Sequence, residues 1–266
     1  MHRLTANVRL FLQGAILSYV ALFRWLRPTT YLASKVLLPL NQILFFTFLG
    51  TFATGKENAD FYVIGNAIQV AAVSGIYGVT MSISGDRWEG TLPYLFGAPA
   101  NRMTMFFGRA FMHVIDGMLG VVIGLMWGVL LLNLDLSNAD PIPLAVTIFV
   151  TTFSTSGLGL LLGCLSLITR NVMFVNNTVY FLLLIFSGAN IPVENLPGWM
   201  QTISFVLPLT RGIEAARQII DGADLASVAH LLRGEFLVGL IYGVLGFFLF
   251  RIFEREAKRR GTLEVF

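Results

Sequence analysis

The sequence predicts an all-α integral membrane protein with six transmembrane helices, an N-terminal amphipathic interfacial helix and an external re-entrant hairpin before the last helix. Three observations lead to this prediction. The chain is 56% hydrophobic and only 12% charged, whereas about a quarter of the residues in soluble domains are charged. Its apolar segments reach the roughly 20 residues that a helix needs to cross a bilayer, and they are too long for barrel strands. Its cations are distributed unevenly between the connecting segments, which indicates a fixed orientation.

The first predicted element is the amphipathic helix in residues 1–28. Apolar residues recur at helical spacing from Leu4 to Leu26, while Arg9 and Arg24 lie elsewhere on the helical wheel. Pro28 ends the helix and turns the chain into the first span. Two roles remain open for it, a membrane-surface anchor and a part in admitting substrate.

Residues 29–266 form the predicted six-helix transmembrane domain, whose spans we place at residues 29–52, 61–84, 103–134, 142–168, 172–188 and 234–253. Of the eighteen Lys and Arg residues, all but four fall on one side of these spans. The four exceptions are Lys56, Arg211, Arg217 and Arg233. The positive-inside rule therefore predicts that both termini are cytoplasmic and that the protein lies in the inner, or plasma, membrane of the cell.

Residues 189–230 form the predicted external segment. Its apolar pieces are too short to span a bilayer, and Pro192, Pro197 and Pro208 interrupt them. We expect two short helices, at residues 197–205 and 209–221, that dip into the outer leaflet and return. Trp199 is the expected interface anchor.

Residues 85–102 form a charged, proline-broken loop between the second and third spans, on the side that collects positive charge. A simple connection between two spans needs only a short polar turn. The combination of charges, aromatic residues and prolines at the cytoplasmic surface predicts a docking site for another protein.

Several chemistries find no support in the sequence. Gly50 to Lys56 matches the start of a phosphate-binding loop, but Glu57 stands where Ser or Thr must hold Mg²⁺, so we expect no ATP hydrolysis by this chain. Cys164 is the single cysteine, which excludes an intrachain disulfide, and no catalytic, cofactor or metal residues are predicted. The net charge of +3 reflects orientation and not nucleic-acid binding.

The third span contains His113 and Asp116, one helical turn apart. We interpret them as a hydrogen-bonded pair near the inner end of the span, although a proton relay stays open. Uncharged amides within the spans either line a substrate path or tie helices together, and the second use is the commoner one.

Two segments resemble the ABC type-2 permeases, the membrane subunits of ATP-binding cassette exporters. The first comprises Asp86, Arg87, Trp88, Glu89, Gly90, Thr91 and Leu92, then Ala98, Pro99 and Arg102. The second comprises Ser187, Gly188, Pro192, Glu194, Asn195, Leu196, Pro197, Gly198 and Trp199, then Leu207, Pro208, Leu209, Thr210, Glu214 and Ala215. Pro93 departs from the family pattern, which commonly has a helix former there.

The resemblance implies a partner and a mechanism. Two such permeases pair, here as a homodimer, and each engages a separate ATP-binding cassette subunit that holds the ATP and Mg²⁺. Asp86, Arg87, Glu89 and Arg102 would orient the docking, while Trp88 and Leu92 would fill the cleft of the ATPase. Membrane lipids are the other expected partners.

The predicted function is therefore ATP-driven export of an amphipathic or lipophilic drug or natural product. Spans one, two and five would line the pathway, with Phe45, Phe48, Gln69, Phe174, Asn177 and Phe181 as candidate lining residues. Export of a lipid-linked polysaccharide is the alternative within the family. A proton-driven transporter that uses His113 and Asp116, or a membrane-embedded lipid enzyme, are alternatives of other classes.

Overall fold

The computed structural model describes residues 8–17, 20, 27–91, 94, 97, 101–166 and 171–260, and within these ranges the secondary structure is helical, without strands. In chain order the α-helices are α1 (Val8–Leu17), α2 (Pro28–Thr54), α3 (Ala59–Gln69), α4 (Val79–Trp88), α5 (Arg102–Leu132), α6 (Pro141–Leu165), α7 (Val172–Phe186), α8 (Gly198–Val206), α9 (Thr210–Ile220) and α10 (Leu225–Arg260). Short 3₁₀-helices occupy Lys56–Asn58 and Val193–Asn195, and a π-helix occupies Val73–Gly78. The predicted all-α class is confirmed.

Five helical stretches are long and apolar enough to cross a membrane: Thr29–Thr54, Lys56–Asp86, Met103–Leu132, Pro141–Leu165 and Leu225–Glu256. They correspond to five of the six predicted spans. The remaining prediction falls on α7, which has 15 residues. At 1.5 Å per residue its helix is about 22 Å long, shorter than the roughly 30 Å of a bilayer core. The count of six spans therefore stays a prediction.

The second span, Lys56–Asp86, is the most enclosed of the five and contains α3, the π-helix and α4. Two glycines of the π-helix permit this enclosure. A Cβ at Gly75 would overlap the side chain of Thr155 on α6, and a Cβ at Gly78 would overlap the ring of His113 on α5. The second span therefore packs closely between α5 and α6.

The largest helix interface joins α6 to α10. Small residues bring these backbones together, as at Gly239, where an added Cβ would lie 2.6 Å from the Cα of Ser154. On the other side of the bundle Gly124 lies close to Ala67 of α3, with 3.3 Å between an added Cβ and the Cα of Ala67. These repeated small residues therefore pack helices within one chain.

The N-terminal helix α1 packs along the start of α5. The Phe11 and Phe111 rings lie 5.8 Å apart, and Ala15 is buried. The apolar side chains of Val8, Leu12 and Ile16 remain exposed. Much of the predicted amphipathic helix lies outside the described residues, so its interfacial position stays a prediction.

We predict that valine is tolerated unequally at two glycines of α10. Gly239→Val should destabilise the bundle by about 1–3 kcal/mol, because the new side chain must push α6 away. Gly243→Val should unfold like the unmodified protein, because an added Cβ at Gly243 has no atom within 4 Å. Thermal unfolding in detergent, followed by tryptophan fluorescence, measures both. Equal midpoints for the two variants would contradict the interface described here.

Candidate coupling and transport sites

The segment between the second and third spans begins as helix and not as loop. Helix α4 continues through Asp86 and ends at Trp88, and a turn follows in which Gly90 adopts a φ of +66°. The Thr91 amide donates to the Asp86 carbonyl at 2.8 Å and closes this turn. The predicted loop of residues 85–102 is therefore shorter at its start, since its first four residues belong to α4.

Asp86 forms an ion pair within the chain. Arg109 of α5 donates to it from both terminal nitrogens, with Nη1 to Oδ2 at 2.5 Å and Nη2 to Oδ1 at 3.4 Å. Nη1 also donates to the Ser82 carbonyl at 2.7 Å. Both charged side chains are largely buried, at 13% and 16% exposure. Asp86 therefore fixes the end of α4 to α5, and its role in docking stays a prediction.

Next to this ion pair the chain presents an exposed surface that we call the elbow, formed by Trp88, Glu89 and Tyr94. The exposed fractions of Trp88 and Tyr94 are 48% and 80%, and Glu89 is exposed as well. The candidate Leu92 lies outside the described residues, and the side chains of Arg87 and Arg102 are not described either. Two bulky aromatic groups and one carboxylate next to a fixed helix end make a surface suited to docking.

A second ion pair lies inside the bundle, where Lys35 of α2 contacts Asp116 of α5. The Ser74 hydroxyl donates to Asp116 Oδ2 at 2.7 Å, and Lys35 Nζ donates to the Ser74 oxygen at 2.7 Å. Tyr31 donates a further hydrogen bond to the same carboxylate. The first span, the second span and α5 are thus joined by one carboxylate.

The predicted hydrogen bond between His113 and Asp116 is not formed, because α2 and the π-helix occupy the Asp116 carboxylate. His113 is buried against Gly78 instead, and among the described residues its Nδ1 has no hydrogen-bond partner. The sequence reasoning missed Lys35 because it counted this residue with the cytoplasmic cations. Lys35 is the single charged residue of the first predicted span and Asp116 the single acidic residue of the third, and that signal could have paired them.

The candidate pathway residues mostly share an exposed face on α2 and α7. Phe45, Phe48, Phe174 and Phe181 are each more than 60% exposed. Asn177 lies on the same part of α7 and is exposed. Five of the six candidates are therefore exposed on α2 and α7, the surface that we call the pathway face, and that they line a pathway stays a prediction.

The sixth, Gln69, does not line this surface. Its side chain is fully buried, and Gln69 Oε1 accepts from the Ser187 hydroxyl at 3.0 Å. Gln69 therefore ties the second span to the end of α7. Of the two uses considered for amides within the spans, Gln69 therefore ties helices together and does not line a substrate path.

Four polar side chains, which we call the polar belt, link α2, the π-helix and α7. The Tyr180 hydroxyl donates to Gln42 Oε1 at 2.8 Å, and the Tyr77 hydroxyl donates to Asn177 Oδ1 at 2.8 Å. The two tyrosine rings are 5.7 Å apart in an edge-on arrangement. The face thus offers aromatic walls with hydrogen-bonding groups between them.

The external segment contains the two short helices predicted for it, α8 and α9. Among the candidate hairpin residues, Pro192 and Glu194 lie at the 3₁₀-helix, Pro197 precedes α8, and Pro208 precedes α9. Trp199 is 62% exposed, as expected of an interface anchor. Re-entry into the outer leaflet stays a prediction.

Two charged residues that the sequence reasoning overlooked hold this segment. Glu235 of α10 is fully buried, and its Oε1 accepts from the Leu209 amide at 2.7 Å at the start of α9. Leu209 has a φ of +83°, which is unusual for a leucine and requires such support. A lone glutamate inside an apolar span was the available signal for this contact.

Arg217 of α9 fixes the other part of the external segment, at the end of α7. Its Nη2 donates to the carbonyls of Phe61 and Gly188 at 2.9 and 3.0 Å, and the guanidinium lies 3.6 Å from the Phe61 ring centroid. Burial lowers the pKa of the Arg217 guanidinium to about 10, so it remains charged at neutral pH. Its guanidinium thus supplies hydrogen-bond donors to carbonyl groups of the second span and of the end of α7.

Comparison with known proteins identifies a family and several relatives. The family described as ABC-2 type transporter matches residues 13–220. "Daunorubicin resistance ABC transporter permease protein DrrB1" from Streptomyces coeruleorubidus is 29% identical over 70% of this chain and 67% of its own length. "Probable multidrug ABC transporter permease YbhR" from Escherichia coli K12 is 25% identical over 74% of this chain, but only 54% of its own length is covered. "ABC transporter G family member 20" from Dictyostelium discoideum is 24% identical over 69% of this chain and 26% of its own length.

We predict that Lys35→Met will destabilise the bundle by about 3–5 kcal/mol, because it leaves the Asp116 carboxylate buried without a counter-charge. The double variant Lys35→Met/Asp116→Asn should recover most of this loss, because it removes both charges and keeps an acceptor for Ser74. Unfolding by SDS in mixed micelles measures the difference. Lys56→Met, at an exposed position, is the control. A double variant no more stable than Lys35→Met would contradict the ion pair.

Proposed function

Since this chain belongs to the ABC-2 type transporter family, we propose that it is the permease subunit of an ATP-driven exporter of an amphipathic or lipophilic drug or natural product. Permeases of this family are multi-pass membrane proteins that work with a separate ATP-binding subunit. The main support for the proposal is the exposed elbow, which continues directly from the enclosed second span and is fixed to α5 by the ion pair between Asp86 and Arg109. Cargo leaves the cytoplasm, or the inner leaflet, through the pathway that this span helps to form.

The elbow supports docking of the ATP-binding subunit. Trp88 and Tyr94 offer the aromatic surface typical of interface anchors, and Glu89 offers a charge that fixes orientation. Because Arg109 holds Asp86, a displacement of the elbow moves α4 and α5 together. Two ATP-binding subunits, which carry the ATP and Mg²⁺, would each drive one permease as a rigid body.

The proposed orientation places the elbow in the cytoplasm and α8 and α9 outside. The elbow end of α10 supports this arrangement, because it carries Arg251, Arg255 and Arg259. With α7 as a short sixth crossing, both termini are cytoplasmic and the protein lies in the cell membrane. Two copies of the chain would face each other through α2 and α7, with the pathway between them.

The pathway face supports the choice of cargo. Its exposed phenylalanines suit apolar rings, and the polar belt suits the hydroxyl and carbonyl groups that drugs and natural products carry. The names of two relatives refer to daunorubicin resistance and to multidrug transport. A proton-driven mechanism through His113 and Asp116 is disfavoured, because the Asp116 carboxylate binds Lys35 and not His113.

We predict that Glu89→Lys will reduce affinity for the ATP-binding subunit by at least about ten-fold while the bundle stays folded, because the charge at the elbow is reversed. Glu57→Lys is the matched control, because it is an exposed glutamate at the opposite end of the same span. Co-purification and ATP hydrolysis by the reconstituted complex measure the effect. Equal binding by the two variants would place the docking surface elsewhere.

We predict that Asn177→Leu will weaken the apparent affinity for a hydrogen-bonding cargo by about three- to ten-fold, because one polar contact is lost. Basal ATP hydrolysis should not change, since Asn177 bonds to Tyr77 and is not one of the elbow residues. Thr202→Val on α8, where the hydroxyl bonds to its own helix, is the control. The concentration dependence of transport into inverted vesicles measures the effect. If the dependence is unchanged, this face does not contact cargo.

A further inference from the structure

An apolar groove of about 550 Å³ runs along the outside of the bundle. We call it the α5–α10 groove, because Phe107 and Phe111 of α5 form one wall and Phe247 and Phe248 of α10 form the other. Leu160 of α6 contributes to the floor, and Phe11 of α1 lies at the edge. The volume falls within the range of roughly 300–1,000 Å³ that is common for small-molecule sites.

The groove lies at membrane depth, because its walls and floor belong to three of the candidate spans. Water does not solvate apolar walls at this depth, so the groove faces hydrocarbon. It also lies away from the pathway face, since among the described residues α10 shares no extended contact with α2 or α7. The groove is therefore open to the lipid phase and separate from the site proposed for cargo.

One end of the groove carries a positive charge. The Arg251 guanidinium stacks on the ring of Phe247, a wall residue, at 4.8 Å from the ring centroid. Arg251 is exposed, and within the described part of the chain it forms no ion pair. The next residue inward, Phe250, packs on Phe106 at 4.7 Å between ring centroids, near the start of α5. Arg251 therefore lies at the same end of the bundle as the elbow.

From this arrangement we propose that the α5–α10 groove binds one anionic phospholipid from the leaflet on the elbow side. An acyl chain fills the groove, and the lipid phosphate pairs with Arg251. An aromatic trough favours a hydrocarbon chain, and a cation at its headgroup end favours an anionic lipid over a zwitterionic one. A long Arg side chain that lies along an apolar surface can place its charge at the headgroup depth.

Gly243 provides a specific test, because it lines the groove and an added Cβ there meets no atom within 4 Å. Gly243→Phe should fill the groove without disturbing the helix packing. The matched control is Ile241→Phe, which adds the same ring at an exposed position of α10 that is not part of the groove. Arg251→Gln removes the proposed phosphate contact, and Arg233→Gln at the other end of α10 is its control.

The measurement is native mass spectrometry of the purified, delipidated protein titrated with phosphatidylglycerol or with phosphatidylcholine of identical acyl chains. We expect the unmodified protein to bind phosphatidylglycerol about five-fold more tightly, the effect of one cation near an anionic headgroup. Arg251→Gln should abolish this preference and retain binding of both lipids. Gly243→Phe should weaken both lipids, and the two controls should match the unmodified protein.

Three results would overturn the proposal, provided that the thermal unfolding of Gly243→Phe is unchanged. Equal binding of the two lipids by the unmodified protein would remove the role of Arg251. Unchanged lipid binding by Gly243→Phe would show that the lipid lies elsewhere. A change in oligomeric state or in cargo binding by Gly243→Phe, with lipid binding retained, would assign the groove to a second copy of the chain or to cargo.

Discussion

Close backbone contact between the second span and α6 is the constraint on which the rest of the structure depends. It is possible because Gly75 and Gly159 face each other without side chains, so that an added Cβ at Gly159 would overlap the Gly75 carbonyl. Two hydroxyl groups bridge the same contact, Thr155 to the Ala71 carbonyl at 3.3 Å and Thr80 to the Gly159 carbonyl at 3.2 Å. Lipid offers no hydrophobic force for helix association, so this steric fit and these hydrogen bonds hold the centre of the bundle.

Charged groups then attach the outer elements to this centre. Asp116 joins α2 to the second span, Asp86 joins α4 to α5, and Glu235 joins α10 to the start of α9. A buried charge without a partner is costly in a membrane, so each of these groups favours one arrangement of the helices. The same groups mark the paths along which movement of one helix displaces another.

The sequence predicted those features that depend on local composition. Hydropathy located the five long apolar helices, and the prolines around Pro197 and Pro208 located α8 and α9, because both signals act within a few residues. It did not predict the contact between Lys35 and Asp116, or the contact of Glu235 with the Leu209 amide, because these partners meet only after the helices have packed. For the same reason the ion pair between Asp86 and Arg109 was not predicted, since Arg109 lies one helix further along the chain.

The π-helix at Val73–Gly78 has a geometric consequence for the protein surface. A turn closed by a bond five residues back holds one more residue than an α-turn, and each residue of an α-helix corresponds to a rotation of about 100° about its axis. Side chains after the wide turn are therefore rotated by about 100° from the positions they would take in an uninterrupted α-helix. The π-helix, which ends ten residues before Trp88, therefore helps to set the direction in which the exposed indole of Trp88 points.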